Sequence, residues 1–220
     1  MGLDHADFMA IFDEWAPTYD QTVFAATPHD GFENYTEVLE RVADLAGAGM
    51  GIRLLDVGTG TGNLAQILAR RGAQVTAVEP SAEMRQIAQA KLGGVPVMDG
   101  HFLALPVPDG SQEAVVSTYA FHHLDDQRKA LGAREMLRVL RPGGRVVLGD
   151  VAWASEEARS SMIWRFAHEG KYDLVKEIQE EYYPQIGLLT SLFAAAGCSV
   201  YVEQVNDWVW LLVARKRTVQ

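Results

Sequence analysis

A chain of 220 residues with 48% hydrophobic and 22% charged residues has the composition of a folded globular protein with a substantial core. Its formal net charge of −10 makes nucleic acid an unlikely partner, because nucleic-acid-binding surfaces are basic. No apolar run is long enough to span a bilayer, and the single cysteine, Cys198, excludes an intrachain disulfide. Since the first residues lack a signal-peptide pattern, we expect a cytoplasmic protein that does not act at a membrane.

The first fifty residues contain two stretches of helical periodicity. Apolar residues recur at helical spacing from Phe8 to Trp15, and Pro17 then breaks the pattern. A second amphipathic stripe covers residues 35–45 and is ended by Gly47. We therefore predict two helices ahead of the first strand.

Strand and helix patterns alternate between residues 52 and 150. This alternation indicates a parallel sheet with right-handed crossovers. Ligands of such sheets bind at the carboxyl ends of the strands, which fall here near Asp56, Glu79, Gly100, Tyr119 and Asp150. The predicted strands are 52–57, 74–79, 95–98, 113–118 and 145–150, and the predicted helices between them cover 64–68, 81–88 and 127–140.

Residues 155–215 depart from this alternation. Three helices are predicted over 155–169, 173–181 and 185–196, and two strands follow over 199–205 and 208–215. Asn206-Asp207 between these strands is a weak hairpin signal. No repeat or linker is visible, so we expect residues 1–220 to form a single domain.

A run of alternate glycines joins the first strand to the next helix: Asp56-Val-Gly58-Thr59-Gly60-Thr-Gly62. Glycine permits positive φ and lets a ligand lie against the backbone, and the N–H groups of a helix start hold anionic groups. Glu79 ends the next strand, where such folds present an acid to ribose hydroxyls. Together these features predict a site for a cofactor that carries a nucleoside.

The glycine spacing differs from the dinucleotide fingerprint G-x-G-x-x-G, because Asn63 stands where its third glycine belongs. The carboxylate of Asp56 would repel a pyrophosphate and suits an ammonium group. S-adenosylmethionine (SAM) carries such an ammonium group together with a cationic sulfonium.

The chain resembles the class I SAM-dependent methyltransferases, and in particular an uncharacterised bacterial branch that acts on small molecules. The resemblance implies a Rossmann-like, doubly wound α/β fold with a seven-stranded, mostly parallel sheet whose antiparallel strand comes from the C-terminal hairpin. It also implies that the N-terminal helices (1–50) and the insertion 155–184 form a substrate cap. The matching blocks are Leu-Asp56-Val-Gly58-Thr-Gly60-Thr-Gly62, Val78-Glu79-Pro80-Ser81, Asp99-Gly100-His101-Phe102, Tyr119-Ala-Phe-His122-His123-Leu124 and Leu140-Arg-Pro-Gly-Gly144.

The resemblance also implies a set of cofactor contacts. The glycines approach the methionine part of SAM, Asp56 holds its ammonium group or braces the loop, and Glu79 accepts from the ribose diol. Met84 either lies against the adenine or packs in the core. His101 departs from the family's acid, so either its imidazole or Asp99 accepts from the adenine amino group. The full set is Tyr19, Asp56, Gly58, Thr59, Gly60, Glu79, Pro80, Met84, Gly100, His101, Phe102 and Tyr119.

Candidates for acceptor binding and catalysis follow the fourth strand and flank the cleft. His122 and His123 either contact the acceptor and move a proton or tie the loop structurally. No metal site is expected, because neighbouring histidines on a loop diverge and no Cys/His cluster accompanies them. Tyr19 and Trp15 either roof the methyl group or pack in the core, and Tyr183 is a candidate for the acceptor pocket.

We therefore predict a methyltransferase (EC 2.1.1.-) that transfers the SAM methyl group by direct in-line displacement to a small molecule, yielding S-adenosylhomocysteine. The alternatives are a SAM- or S-adenosylhomocysteine-binding protein without activity, a tRNA or protein methyltransferase, and a nicotinamide-dependent oxidoreductase. The glycine spacing of the chain argues against the oxidoreductase, because it departs from the dinucleotide fingerprint. The oligomeric state is expected to be a monomer or a homodimer.

Overall fold

A seven-stranded sheet runs through the centre of the molecule in the order β3-β2-β1-β4-β5-β7-β6. It is seen in a computed structural model that describes residues 5–25 and 32–218, with side chains from residue 10 onward. The start of the chain, where we found no signal-peptide pattern, and the side chain of Phe8 lie outside the described residues. The strands are β1 (Arg53–Val57), β2 (Gln74–Val78), β3 (Val97–Met98), β4 (Gln112–Thr118), β5 (Leu140–Val151), β6 (Ser199–Gln204) and β7 (Val209–Arg215).

Strand directions confirm a mostly parallel sheet. β1 pairs in parallel with β2 and β4, β2 with β3, and β4 with β5. Of the described strands, β7 alone runs antiparallel to both of its neighbours, β5 and β6. The C-terminal hairpin therefore supplies the antiparallel strand, as expected, and β7 inserts between β5 and the edge strand β6.

Helices cover both faces of the sheet and follow the predicted segments closely. The short helix at Tyr19 and a single 3₁₀ turn at Phe121–His123 are the elements that the periodicity did not predict. The helices are α1 (His5–Trp15), α2 (Tyr19–Phe24), α3 (Tyr35–Ala46), α4 (Asn63–Arg70), α5 (Ala82–Leu92), α6 (Asp126–Val139), α7 (Glu156–His168), α8 (Tyr172–Glu180) and α9 (Ile186–Ala195). In the described part of the chain, no helix combines the length and apolarity that crossing a bilayer requires.

The prediction for β5 was too short at its start. We predicted a strand over 145–150, but β5 begins at Leu140, which pairs with Gln112, and so includes Arg141-Pro-Gly-Gly144. The register then shifts before Ala114 pairs with Arg145, and Gly143 lies in this interval with a φ of +77°. The glycines therefore form an irregularity within a strand, where left-handed backbone is needed.

Two apolar clusters, one on each face of the sheet, form the core. Leu54 of β1 faces the cluster that includes α3 and α4, whereas Leu55 faces the cluster that includes α6 and α9. Ala114 and Val115 of β4 divide between the clusters in the same way. Successive strand residues are thus buried on opposite faces, which explains why these strands read as continuous apolar runs.

This core predicts the cost of a matched pair of truncations. Leu68 of α4 is completely buried, whereas Leu131 of α6 is 52% exposed. Leu68→Ala should lower the free energy of unfolding by about 2–5 kcal/mol, because it removes buried methyl groups and leaves a cavity. Leu131→Ala should change it by less than about 0.5 kcal/mol. Urea denaturation measures both, and similar losses in the two variants would contradict this description of the core.

Candidate active site

The carboxyl ends of the parallel strands meet at one edge of the sheet, as the alternation predicted. Asp56 is the second-last residue of β1, Glu79 follows β2, Tyr119 follows β4 and Asp150 lies near the end of β5. Asp56, Glu79 and Asp150 are buried carboxyl groups. Buried charges need specific partners, and ligands of parallel sheets bind at the carboxyl ends of the strands, so this edge is the candidate ligand site.

The loop between β1 and α4 is shaped by its glycines. Gly58, Gly60 and Gly62 all have positive φ, and the N–H groups of Gly58 and Thr59 both donate to the Val78 carbonyl, at 2.8 and 3.1 Å. A Cβ on Gly58 would lie 2.7 Å from the Ala120 Cβ, whereas a Cβ on Gly60 would meet no described atom within 4 Å. Position 58 therefore needs glycine because Ala120 packs closely against it, whereas Gly60 faces open space.

Glu79 binds the same loop from the neighbouring strand. Its Oε2 accepts the N–H of Gly60 at 2.8 Å, and its Oε1 accepts the N–H of Ser81 at 2.9 Å. Burial raises the pKa of this carboxyl group. Each carboxylate oxygen can accept a further hydrogen bond, so the Glu79 side chain is able to brace the loop and bind a ligand hydroxyl together.

Asp56 is the least satisfied polar group of the loop. Its Oδ2 accepts the Thr59 hydroxyl at 2.6 Å, but its Oδ1 is buried and has no hydrogen-bond partner among the described residues. Burial, and next the charge of Glu79, raise the pKa of Asp56 to about 7. A buried acceptor without a donor is costly, and a ligand ammonium group would satisfy it.

His122 and His123 form the polar part of the neighbouring wall. The Nδ1 of His122 lies 2.5 Å from Asp150 Oδ1, and the Nδ1 of His123 lies 3.0 Å from Glu181 Oε2. The ring centroids are only 3.9 Å apart, so the prediction that these neighbouring histidines diverge is wrong. Each ring is held by a carboxylate from another segment, which sequence spacing could not reveal.

The pKa values of the two histidines move apart. For His122, burial lowers the pKa, but the adjacent Asp150 carboxylate outweighs it and the pKa is raised. For His123, burial and the neighbouring His122 lower the pKa despite the contact with Glu181. Glu181, for which the sequence left open a solvated acidic face or a place in the acceptor pocket, contacts His123.

Residues 181–183, which follow α8 in the segment predicted to form the cap, contact this wall. The Tyr183 ring lies 4.9 Å from the His122 ring, so the structure brings this predicted acceptor residue to the histidines. Lys129 of α6 is fully buried and donates to the carbonyls of His122, Leu124 and Tyr182. Burial lowers its pKa to about 8. A cavity of about 530 Å³ lies beside the cap and is lined by Asp125, Asp126, Gln127, Tyr182 and Tyr183.

Known sequences agree with this geometry. Residues 55–148 match the family model described as a methyltransferase domain. An uncharacterised methyltransferase of Anoxybacillus flavithermus is 38% identical, over 96% of this chain and 99% of that protein. One from Geobacillus kaustophilus is 39% identical, over 96% of this chain and 98% of that protein. The chain belongs to the class I SAM-dependent methyltransferases.

Solved structures show the same fold. The [4+2]-cyclase SpnF superposes with a TM-score of 0.77 at 18% identity, covering all of this chain and 98% of the other. A SAM-dependent methyltransferase from Aquifex aeolicus gives a TM-score of 0.58 at 20% identity, covering 80% and 88%. SAM is the cofactor of this methyltransferase, and the glycine loop with its unpaired Asp56 oxygen fits the ammonium end of that molecule.

Aromatic rings from the N-terminal segment pack against one another and reach Tyr119, which follows β4. The Tyr19 ring meets the Trp15 ring edge-on at 4.8 Å, and both rings neighbour Phe32. Phe32 and Tyr35 also contact Tyr119, which has the unusual φ of +50°. Burial and the neighbouring Tyr35 raise the pKa of Tyr19. The structure therefore joins the predicted residues Tyr19, Trp15 and Tyr119 in one cluster.

The residues predicted for the adenine side lie after β2 and β3. Met84 is buried on α5, and Phe102 packs edge-on against Phe121. The Nδ1 of His101 accepts the Leu103 N–H at 3.2 Å, so in the neutral ring the other nitrogen carries the proton. That nitrogen is a donor, which disfavours the imidazole as the acceptor for an adenine amino group.

The other predicted positions here have backbone roles. The Pro80 carbonyl accepts from Arg85 at 3.1 Å, and a Cβ on Gly100 would lie 3.0 Å from both Pro106 and Val78. Asp99, the alternative to His101, is an exposed carboxylate 3.4 Å from Arg85.

Sequence reasoning missed a clamp that fastens the N-terminal helices to the cofactor loop. Asp20 of α2 accepts from Thr61 at 2.6 Å, from Asn63 at 3.0 Å and from Lys91 at 2.7 Å. Asp13 of α1 accepts the Ser81 hydroxyl at 2.6 Å. The signal was the motif Phe12-Asp13-x-Trp15-Ala16-x-x-Tyr19-Asp20, to whose two aspartates we had given no role.

Because the Asp56 carboxyl group is buried, replacing it with a neutral side chain should stabilise the protein at high pH and not at low pH. The folded pKa of about 7 lies above the ordinary 3.8, so the native state holds a proton that the unfolded chain releases between these values. The cost of the charge is therefore absent near pH 4 and complete above pH 7. Asp56→Asn should raise the free energy of unfolding by about 1–3 kcal/mol at pH 8.

Urea denaturation of the SAM-free protein at pH 5 and pH 8 measures this effect. Asp99→Asn is the control, because the Asp99 side chain is 76% exposed and its removal should give little pH dependence. Equal effects of Asp56→Asn at both pH values would show that Asp56 does not carry a raised pKa.

Proposed function

We propose that this methyltransferase transfers the methyl group of SAM to a small-molecule acceptor and releases S-adenosylhomocysteine. The observation that carries the proposal is the pairing of a buried, unpartnered Asp56 oxygen with the open space above Gly60. The net charge of −10 and the cap tied over the strand ends favour a small acceptor over tRNA or protein. We place the enzyme in the cytoplasm, as a monomer or homodimer, since its one cysteine fits a reducing compartment.

We assign the ammonium group and the ribose hydroxyls of SAM to two different carboxylates. Asp56 holds the ammonium group, and the backbone of Gly58, Thr59 and Gly60 lies along the methionine part. Glu79, which already accepts from Gly60 and Ser81, takes the ribose hydroxyls with its remaining lone pairs. The adenine lies toward Pro80, Met84, Gly100, His101 and Phe102.

On the acceptor side we assign the rings that converge between the N-terminal helices and the cap. Tyr19 and Trp15 cover the methyl group from one side, with Tyr119 beneath them. His122, His123 and Tyr183 face the acceptor from the other side. The cavity beside Tyr183 shares that residue with the histidine wall, and we propose it as the approach for the acceptor.

The chain contributes alignment and exclusion of water. When bound, SAM supplies the methyl group, and its cationic sulfonium is the leaving group that the acceptor displaces in line. The Asp13 and Asp20 contacts hold the N-terminal helices against the cofactor loop, and Lys129 holds the cap against the histidine turn. Both restraints orient groups and keep water out, which is the main requirement of a reaction with a good leaving group.

A ligand panel tests the proposal directly. SAM at 100 times its Kd should stabilise the protein by about 2.7 kcal/mol, visible as a rise in Tm, and NADH should not. Methyl-labelled SAM incubated with small-molecule extracts should then transfer its label to a product. A thermal shift with NADH alone would overturn the proposal, and SAM binding without transfer to any acceptor would indicate a cofactor-binding protein without activity.

A pair of glycine variants tests the cofactor loop. Gly60 and Gly110 have φ values of +56° and +62°, and a Cβ at either meets no described atom within 4 Å. Valine should therefore strain both backbones similarly, but only Gly60→Val fills the space assigned to SAM. We expect Gly60→Val to weaken SAM binding by more than about 10-fold in calorimetry and Gly110→Val to leave it unchanged. Equal affinities in the two variants would refute the assignment.

A further inference from the structure

We propose that His122, His123 and Glu181 bind a divalent transition-metal ion at the acceptor side of the cleft. One ligand atom from each residue lies within 4.8 Å of the others. In the described part of the chain, this is the one group of three such side chains. The sequence argued against a metal because neighbouring histidines were expected to diverge, and their 3.9 Å ring separation removes that reason.

The donor set fits first-row transition metals. Two imidazoles and one carboxylate are typical ligands of zinc and non-haem iron, whereas Mg²⁺ and Ca²⁺ prefer oxygen alone. Three protein ligands leave at least one position open, which is the arrangement of metal sites that bind a substrate or water. The ligands come from the 3₁₀ turn after β4 and from the end of α8, so the ion would join the sheet edge to the cap.

Asp150 provides the outer contact that metal-binding histidines need. Its Oδ1 lies 2.5 Å from His122 Nδ1 and accepts the Val151 N–H, and its Oδ2 accepts the N–H groups of Phe121 and His122. These backbone hydrogen bonds fix the Asp150 carboxylate in place. It can then accept a hydrogen bond from the Nδ1–H of His122. The Nε2 of His122 is then the nitrogen with a lone pair, which is how carboxylate–histidine pairs present a ligand to a metal.

The surroundings favour a dication at this point. When both imidazoles are neutral, the site contains two carboxylates, Asp150 and Glu181, and one ammonium group, that of Lys129. The ammonium group donates to three backbone carbonyls. Phe12 lies edge-on to His123 at 5.1 Å, and Tyr183 lies 4.9 Å from His122. These rings form an apolar shell, which limits the access of water to the ligands.

Closure of the site requires a small movement. Ligands of a tetrahedral zinc ion lie roughly 3.4 Å apart, given bonds of about 2.0–2.1 Å. The hydrogen bond between His123 and Glu181 would be replaced by bonds of both groups to the ion. Glu181 is the residue placed to move, because it follows the last turn of α8 and its side chain is 24% exposed.

The ion would also define the acceptor chemistry, and this part of the inference rests on the proposed function. A metal beside Tyr183 favours acceptors that coordinate it through a hydroxyl or thiol, since coordination lowers the pKa of such groups. The binding of the ion itself does not depend on methyl transfer, so the two proposals can fail separately.

Calorimetric titration of ZnCl₂ and MnCl₂ into tag-free, full-length, EDTA-treated and dialysed protein tests the site. We expect 1:1 binding of at least one ion with a Kd below about 10 µM. His123→Ala and Glu181→Gln should each weaken binding by at least about 10-fold. His168→Ala is the matched control, because His168 is an exposed histidine on α7 and should leave the affinity unchanged.

Co²⁺ provides a second measurement, because its visible absorption reports imidazole and carboxylate ligation. The bands should appear with wild type and His168→Ala and weaken with His123→Ala and Glu181→Gln, and a SAM-induced rise in Tm shows that each variant is folded. No metal binding by the wild type, or equal binding by the wild type and the folded His123→Ala or Glu181→Gln variants, would overturn the site. SAM binding that persists in that case would leave the proposed function intact.

Discussion

The site depends on one constraint: two carboxylates, Asp56 and Glu79, are buried beside one glycine loop. Their burial costs free energy that hydrogen-bond donors must offset. Glu79 offsets its cost with backbone donors from Gly60 and Ser81, and in doing so fixes the loop across the gap between β1 and β2. Asp56 offsets only part of its cost through Thr59. The loop is therefore held rigidly by one acid and left short of a donor by the other, which is the condition for binding a cationic group in a preformed site.

Around this loop the chain uses polar contacts to attach its outer helices. Asp13 and Asp20 fix the N-terminal helices to the starts of α5 and α4, and buried Lys129 fixes the cap to the histidine turn. Each contact joins segments that are far apart in sequence. Of these charged groups, Lys129 is fully buried, and its hydrogen bonds to three backbone carbonyls offset the cost of burying its ammonium group.

The fold could be predicted from the sequence because its signals are local. Apolar runs, glycine stops and the Ser81 cap, which accepts the Met84 N–H, placed nearly every strand and helix. The exceptions had no periodic signal: α2 has six residues, the Phe121–His123 turn has three, and β5 begins at Leu140, ahead of an Arg-Pro-Gly-Gly segment. The signal of the glycine loop is equally local, so the sequence alone singled out its residues as candidates for cofactor binding.

The geometry of the wall formed by His122 and His123 could not be predicted in the same way, because it comes from tertiary contacts. Nothing near His122 in the sequence indicates that Asp150, 28 residues away, holds its ring, or that Glu181, 58 residues from His123, holds the other. His101 shows the converse. Its residue type suggested an adenine acceptor, but a local bond from Leu103 occupies the nitrogen that would accept.

The strand order has a consequence for how the chain is made. β7 pairs with β5 along seven residue pairs, from Arg145–Arg215 to Val151–Val209, and these β7 residues are the last strand of the described chain. During synthesis, β5 is thus an open, apolar sheet edge until residues 209–215 have left the ribosome. Open edges pair with strands of other chains, so we expect a chain stalled or cut before residue 209 to aggregate or to bind chaperones and not to fold into a smaller enzyme.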